Sequence, residues 1–139
     1  MNNELYKASL AANGYINVTI TRRIELTVQD IDDIMCSALE GGITYWCNKA
    51  EVIEEKRVAD WGHEQIARGG VLLLHDAEDG SVAELTLNKF VNGFRLWVEN
   101  GDDEYGAVAA DGTVDCCNID GDMADRIVQY ALFGEVQFG

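Results

Sequence analysis

Residues 71–101 read VLLLHDAEDGSVAELTLNKFVNGFRLWVENG, and this stretch decides the predicted fold class. The apolar run at 71–74 predicts a buried strand, and Asp79-Gly80 predicts a tight hairpin turn into a second strand at 82–85. Thr86 is a suitable N-cap for the helix that follows, and Asn100-Gly101 ends it. The apolar residues of that helix recur with a spacing of three and four, at Leu87, Phe90, Val91, Phe94, Trp97 and Val98.

Upstream of this unit, residues 15–26 alternate between apolar and polar side chains, which predicts a half-buried strand. Arg22 interrupts the apolar face, so we expect it to point inward and to pair with an internal carboxylate, or else to bind an anion in a cleft. Thr27 then predicts an N-cap, with Asp30 in the first turn of a helix that ends at Gly41-Gly42. Residues 43–47 are short, aromatic and β-branched, which predicts another strand.

Downstream, a second hairpin is predicted around Asp111-Gly112, which repeats the pattern of Asp79-Gly80 at an offset of 32 residues. Asn118 is the predicted cap of a last helix that Gly134 ends, and residues 136–138 predict a final strand. Two ββα units would account for this internal similarity.

These elements predict an α+β fold with a mainly antiparallel sheet of five to six strands and about three main helices, packed largely on one face. The length favours one domain over residues 1–139. Residues 1–14 are interpreted as a flexible or peripheral N-terminal segment.

The acidity of the chain is strong and uneven. The formal net charge is −15, and no Lys or Arg occurs from Leu96 to Asp125. Such a field repels nucleic acids and anionic membranes and attracts basic protein surfaces. Eight carboxylates are therefore predicted to bind a partner: Glu99, Asp102, Asp103, Glu104, Asp111, Asp115, Asp120 and Asp122. The alternative is that these residues cap helices and turns and only keep the protein soluble.

No motif in the sequence specifies a reaction, a metal or a cofactor. The four cysteines have no CxxC spacing, which favours free thiols in a reducing compartment over a zinc site. His75-Asp76 could form a base with its orienting carboxylate, but a polar strand end explains the pair as well. The acidic run from Asn118 places Met123 where a calcium loop requires Gly. We therefore expect a non-enzymatic protein without metal or cofactor.

Two basic pairs are the candidates for anion binding, namely Arg22 with Arg23 and Lys56 with Arg57. A small-ligand binder, such as a sponge for a nucleotide signal, would need these cations to converge. The chain has no apolar run of the roughly 20 residues that a membrane span requires. It also lacks the basic-then-apolar N-terminus of a secretion signal, so a cytoplasmic protein is expected.

Several stretches together resemble a family of small acidic uncharacterised proteins of phages and integrative elements in gut Firmicutes. They are GITYWC at 42–47, ARGG at 67–70, LHDA at 74–77, DGTVD at 111–115 and IVQYALFGE at 127–135. The resemblance covers most of the chain from Ile20 onward and implies a gene of a mobile element. Such genes often counter host defence, and anti-CRISPR and antirestriction proteins are frequently small and acidic.

The function expected from charge and resemblance together is inhibition of a host defence system. The acidic surface would bind a basic, nucleic-acid-binding groove of a defence nuclease or effector complex, in the manner of a DNA mimic. The alternatives are the nucleotide sponge and a housekeeping protein-interaction module. The sequence does not decide the oligomeric state, and a homodimer is one option.

Overall fold

The computed structural model describes residues 9–10 and 13–139 of the chain. Its strands are β1 (Ser9–Leu10), β2 (Ile16–Asn17), β3 (Cys47–Val52), β4 (Leu72–Asp76) and β5 (Val82–Leu85). Its α-helices are α1 (Val28–Ser37), α2 (Leu87–Glu99) and α3 (Gly121–Phe133), and α1 continues into a π-helix at Ala38–Gly42. The prediction of a flexible or peripheral segment at 1–14 falls mostly outside the described residues.

The main sheet has three antiparallel strands in the order β3-β4-β5, and β1 and β2 form a separate hairpin. In the main sheet, Leu72 lies opposite Leu85 and Leu74 lies opposite Ala83. Leu72, Leu74 and Leu85 are all buried, so one face of the sheet joins the core that the helices complete. Within the described residues, no helix is long and apolar enough to cross a membrane.

Helix α2 packs along α3 at a very short distance, and Gly93 permits this approach. A Cβ at position 93 would lie 2.5 Å from the backbone nitrogen of Ala131 and 2.6 Å from the carbonyl oxygen of Ile127. Phe90, Phe94 and Trp97 of α2 are buried in the same core. The apolar spacing read from the sequence of α2 thus marks the face that packs inward, except at Val91, which is half exposed.

Two predicted caps are present. Thr27 and Asp30 form a capping box, in which each side chain accepts a hydrogen bond of 2.9 Å from the backbone N–H of the other residue. Thr86 accepts from the N–H of Lys89 at 3.4 Å at the start of α2. The cap of α3 is Asp120 rather than Asn118, and Asp120 accepts from the N–H of Met123 at 2.9 Å.

The prediction of a five- to six-stranded sheet is wrong, because the main sheet has three strands. Residues 15–26 contribute only β2, and the apolar side chains of residues 16–20 are exposed. Residues 43–46 form a bend and a turn after the π-helix, so β3 begins only at Cys47.

In two other predicted strands, side-chain oxygens accept hydrogen bonds from the backbone N–H groups that a neighbouring strand would use. The carboxylate of Asp103 accepts from the N–H groups of Ala107 and Val108 at 2.7 and 2.9 Å. The second predicted hairpin is reduced to an isolated bridge between Val108 and Val114, flanked by backbone hydrogen bonds from Ala109 to Thr113 and from Asp115 to Ala107. The repeated ββα unit is therefore wrong as well, since only the first copy has two strands.

The C-terminal residues are held in a similar way by Gln129. Its side-chain oxygen accepts from the N–H groups of Gln137 and Phe138 at 2.8 Å each, so no strand forms at 136–138. The ring of Phe138 stacks on Trp46, with centroids 5.0 Å apart.

Candidate functional site: an acidic trough

Helix α1 presents a line of polar residues to solvent at positions 30, 33, 37 and 40, where a helix repeats the same face. Asp30 and Asp33 begin this line, and Glu40 ends it in the π-helix. The rise of a helix separates Asp30 from Glu40 by about 15 Å. This face borders two depressions in the protein surface.

The first depression measures about 510 Å³ and lies between α1 and residues 114–117. The second measures about 480 Å³ and lies between the π-helix and the start of α3. Ser37 lines both, so they form one continuous surface, which we call the acidic trough. Six carboxylates line it: Asp30, Asp33, Glu40, Asp115, Asp120 and Asp122. No Lys, Arg or His is among its lining residues.

A contact between two glycines brings together the two sides of the second depression. A Cβ at Gly42 would collide with the carbonyl oxygen of Gly121, so only glycine fits at position 42. This contact places the end of the π-helix directly against the first turn of α3. As a result, Glu40 lines the same depression as Asp120 and Asp122.

Most of the trough carboxylates are held by hydrogen bonds to their own elements. Asp30 belongs to the capping box of α1, Asp33 accepts from the amide of Gln29 at 2.8 Å, and Asp115 accepts from the N–H of Cys117 at 3.0 Å. Such contacts fix the position of a carboxylate and leave acceptor capacity for a partner. The trough is therefore a preorganised array of negative charge.

Two of the three thiols that line the trough, Cys36 and Cys116, are poor nucleophiles. Burial raises the pKa of Cys116 to about 12, and the nearby charge of Asp30 adds to the shift. The pKa of Cys36 is also raised, first by burial and then by its hydrogen bond with Glu40. Because the thiolate is the reactive form and the form that binds metal, neither thiol suits such chemistry near neutral pH. In the described part of the chain, no group of three or more His, Cys, Asp or Glu side chains could hold a metal ion.

A buried polar network lies next to the trough and supports α3. The carboxylate of Asp125 accepts from the indole N–H of Trp46 at 2.7 Å, the amide of Gln129 at 2.9 Å and the hydroxyl of Tyr45 at 2.5 Å. Burial, followed by the hydrogen bond to Asp125, raises the pKa of Tyr45 to about 12. An adjoining depression of about 350 Å³ is lined by this pair and by Asp122, which it shares with the trough.

Three of the eight predicted partner-binding residues lie in the trough, namely Asp115, Asp120 and Asp122. Four others are engaged elsewhere. Glu99 pairs with Arg95 at 2.7 Å, Asp102 accepts from the hydroxyl of Tyr130 at 2.6 Å, Asp103 binds the two backbone N–H groups described above, and Asp111 binds Thr113. The remaining residue, Glu104, is exposed.

Sequence reasoning missed the contribution of α1 to this surface. It assigned Asp30 to the helix start alone and did not single out Glu40. The available signal was the helical spacing of 30, 33, 37 and 40 on the side opposite to the buried Ile31, Ile34 and Met35.

The two basic pairs lie in different parts of the protein. Arg22 and Arg23 are exposed, and Arg22 makes no ion pair with a described residue, so the expected inward salt bridge is wrong. Arg22 lines a groove beside α2. Arg57 forms two hydrogen bonds with Glu54, at 2.7 and 2.9 Å, and also donates to the carbonyls of Ala59 and Asp60. The two basic pairs therefore do not converge on a shared anion site.

The side chains of His75 and Asp76 also contact different partners. The ring nitrogen Nε2 of His75 lies 3.0 Å from Glu51 on the neighbouring strand. The carboxylate of Asp76 instead accepts from the N–H of Glu78 at 2.7 Å, inside the β4–β5 turn. The geometry favours the interpretation of the pair as a polar strand end. Comparisons with protein-family models, curated sequences and solved structures found no match to this chain.

Proposed function

We propose that this chain is a non-enzymatic inhibitor of a bacterial defence system, encoded by a phage or mobile element and acting in the host cytoplasm. In this proposal the acidic trough docks on the basic, nucleic-acid-binding surface of a defence nuclease or effector complex. The observation that carries the proposal is the lining of the trough, which has six carboxylates and no cation.

The charge density of the trough supports competition with DNA. Duplex DNA carries one phosphate charge per about 1.7 Å of axis, or about nine charges over the roughly 15 Å from Asp30 to Glu40. The trough carries six carboxylates, and three of them, Asp30, Asp33 and Glu40, lie on the helix face that spans this length. Their fixed positions lower the entropic cost of binding, and the net charge of −15 would speed association with a basic surface.

The alternative that these carboxylates only keep the protein soluble makes a different prediction. Solubility depends on total charge, whereas docking depends on the position of the charges. Charge reversal inside and outside the trough, with the same change in net charge, therefore separates the two.

The trough variant is Asp33→Lys with Glu40→Lys and Asp122→Lys. The matched control is Glu55→Lys with Glu78→Lys and Glu135→Lys, which are also exposed carboxylates but lie outside the trough. Each tagged protein would be incubated with the heparin-binding fraction of the host bacterium. Captured nucleases would then be tested for binding to labelled duplex DNA.

The wild-type and control proteins should capture a DNA-binding protein at low salt and displace its DNA, and the trough variant should do neither. Inhibition retained by the trough variant, or lost equally in both variants, would show that the trough is not the docking surface. Capture without displacement of DNA would support an ordinary interaction module and exclude mimicry.

A further inference from the structure

The segment of residues 13–24, which we call the arm, exposes an unusual amount of apolar side chain. Ile16 is 65% exposed, Val18 is 81% exposed and Ile20 is 84% exposed. These residues alternate with Asn17 and Thr19, so in an extended chain they share one face. A contiguous exposed apolar stretch of this kind marks an interaction surface.

Within the part of the chain that the structure describes, one edge of the arm is open for strand pairing. Residues Ile16 and Asn17 pair with β1 on one side. Among the described residues, backbone hydrogen bonds to the rest of the protein resume only at Glu25, whose N–H donates to the carbonyl of Gly112 at 2.8 Å. The second edge of β2 and the backbone that follows it can therefore accept another strand.

The charge of the arm indicates that the added strand comes from a second copy of the chain. Two copies of a chain with net charge −15 repel one another over most of their surface. The arm lacks this repulsion, because residues 13–24 contain Arg22 and Arg23 and no Asp or Glu. A second copy can thus approach along the arm without bringing carboxylates together.

We propose that the chain forms a two-fold symmetric dimer in which the two arms pair as antiparallel strands centred on Val18. This register places Val18 opposite the same residue of the second copy and Ile16 opposite Ile20. Arg22 then lies opposite Gly14, so like charges are not opposed. The result is a four-stranded sheet of two hairpins with a single apolar face.

The groove beside α2 supplies further surface for this dimer. Its volume is about 730 Å³, and it is lined by apolar residues of the arm and of α2, among them Ile20, Ile24, Val91 and Phe94. Val91 is half exposed there. Specific interfaces bury about 800 Å² on each partner, so we expect the paired arms to cover this groove as well.

Sedimentation equilibrium of the full chain tests the proposal with two variants of equal charge. Val18→Glu places two carboxylates opposite each other at the dimer axis and should raise the dimer dissociation constant about 100-fold or more. Asn17→Glu adds the same charge on the polar face of the arm, opposite Thr19, and should change this constant by no more than about twofold. Circular dichroism should show the same secondary structure in both variants, because both side chains are exposed.

Cross-linking tests the register directly. Antiparallel neighbours have Cα atoms within the range that a disulfide can span. Val18→Cys should therefore give a covalent dimer under mild oxidation, whereas Tyr105→Cys, an exposed position outside the arm, should give no more than the wild type.

The dimer should tighten with added salt, which screens the repulsion between two acidic copies. Binding of the trough to a basic surface should weaken with salt, so this proposal and the proposed function can fail separately. A chain that stays monomeric at every concentration would overturn the dimer. So would a dimer that Val18→Glu leaves intact, or one that Val18→Cys links no better than Tyr105→Cys.

Discussion

The carboxylate of Asp125 accepts a hydrogen bond of 2.7 Å from the indole of Trp46, although 79 residues separate the two in the chain. Both side chains are buried, and Asp125 also accepts from Gln129 and Tyr45. This network ties the start of β3 to α3, and α3 begins with two residues of the acidic trough. The stability of the network and the shape of the candidate site are therefore linked.

Replacing Asp125 with Ala should destabilise the protein by about 2–4 kcal/mol, because the buried indole N–H of Trp46 loses its acceptor and the amide of Gln129 keeps only its bonds to Tyr45 and Phe138. Tyr45→Phe removes a single donor that is partly exposed and should cost about 1 kcal/mol or less. Urea unfolding followed by tryptophan fluorescence measures both. Equal losses in the two variants would contradict a central role for Asp125.

The contact between α2 and α3 should not tolerate a side chain at position 93. Gly93→Ala places a methyl group against the backbone of Ile127 and Ala131, and we expect a loss of about 1–3 kcal/mol or more from overpacking. Gly41→Ala is the control, since a Cβ there meets nothing within 4 Å. It should leave the melting temperature unchanged or slightly raised. A neutral Gly93→Ala would mean that the two helices can separate without cost.

Two tyrosines should make the fold sensitive to high pH. Burial and a hydrogen bond to a carboxylate raise the pKa of Tyr45 and that of Tyr130 to about 12, from the ordinary value of 10.0. A pKa that is higher in the folded state means a stabilising contribution that is present below pH 10 and is lost as the pH rises from about 10 to 12.

Urea unfolding at successive pH values should therefore show stability falling across this interval. In the double variant Tyr45→Phe with Tyr130→Phe the decline should be shallower. Spectrophotometric titration of the folded protein should show two tyrosines that ionise only near pH 12. Ionisation of all tyrosines in one step near pH 10 would contradict both hydrogen bonds.

The four free cysteines should differ in reactivity. Cys117 is exposed, Cys47 is buried, and burial raises the pKa of Cys36, Cys47 and Cys116. An aromatic disulfide reagent near neutral pH should modify one thiol rapidly in the native protein and all four after unfolding. Cys117→Ser should remove the rapid phase. If the rapid phase persists in that variant, a second thiol is more accessible than the structure shows.

The elements that the sequence predicted well depend on neighbouring residues. The strand at 82–85 matches β5, and the spacing of Leu87, Phe90 and Phe94 matches the helix that follows it. The capping box of Thr27 and Asp30 also joins residues three apart. Such features are short-range, so the local order of residue types was sufficient to find them.

The failed strands have a different cause. Residues 107–108 and 137–138 have strand-like composition, but their backbone N–H groups donate to the side chains of Asp103 and Gln129. A polar side chain that takes these donors competes with a neighbouring strand. The residue pattern does not reveal whether these N–H groups bond to a side chain or to a neighbouring strand. That choice depends on where α3 and the loop after α2 are placed.

The sequence by itself determined the α+β class, the hairpin at Asp79-Gly80, the helix from Leu87 and the strong negative charge, since each depends on composition or on residues close in the chain. Only the tertiary structure decided which carboxylates share a surface. Asp115 shares one depression with Asp30 and Asp33. Asp120 and Asp122 share the neighbouring depression with Glu40 because Gly42 lets the end of the π-helix reach the backbone of Gly121. That approach is a packing contact between residues far apart in sequence, and charge patterning alone carries no information about it.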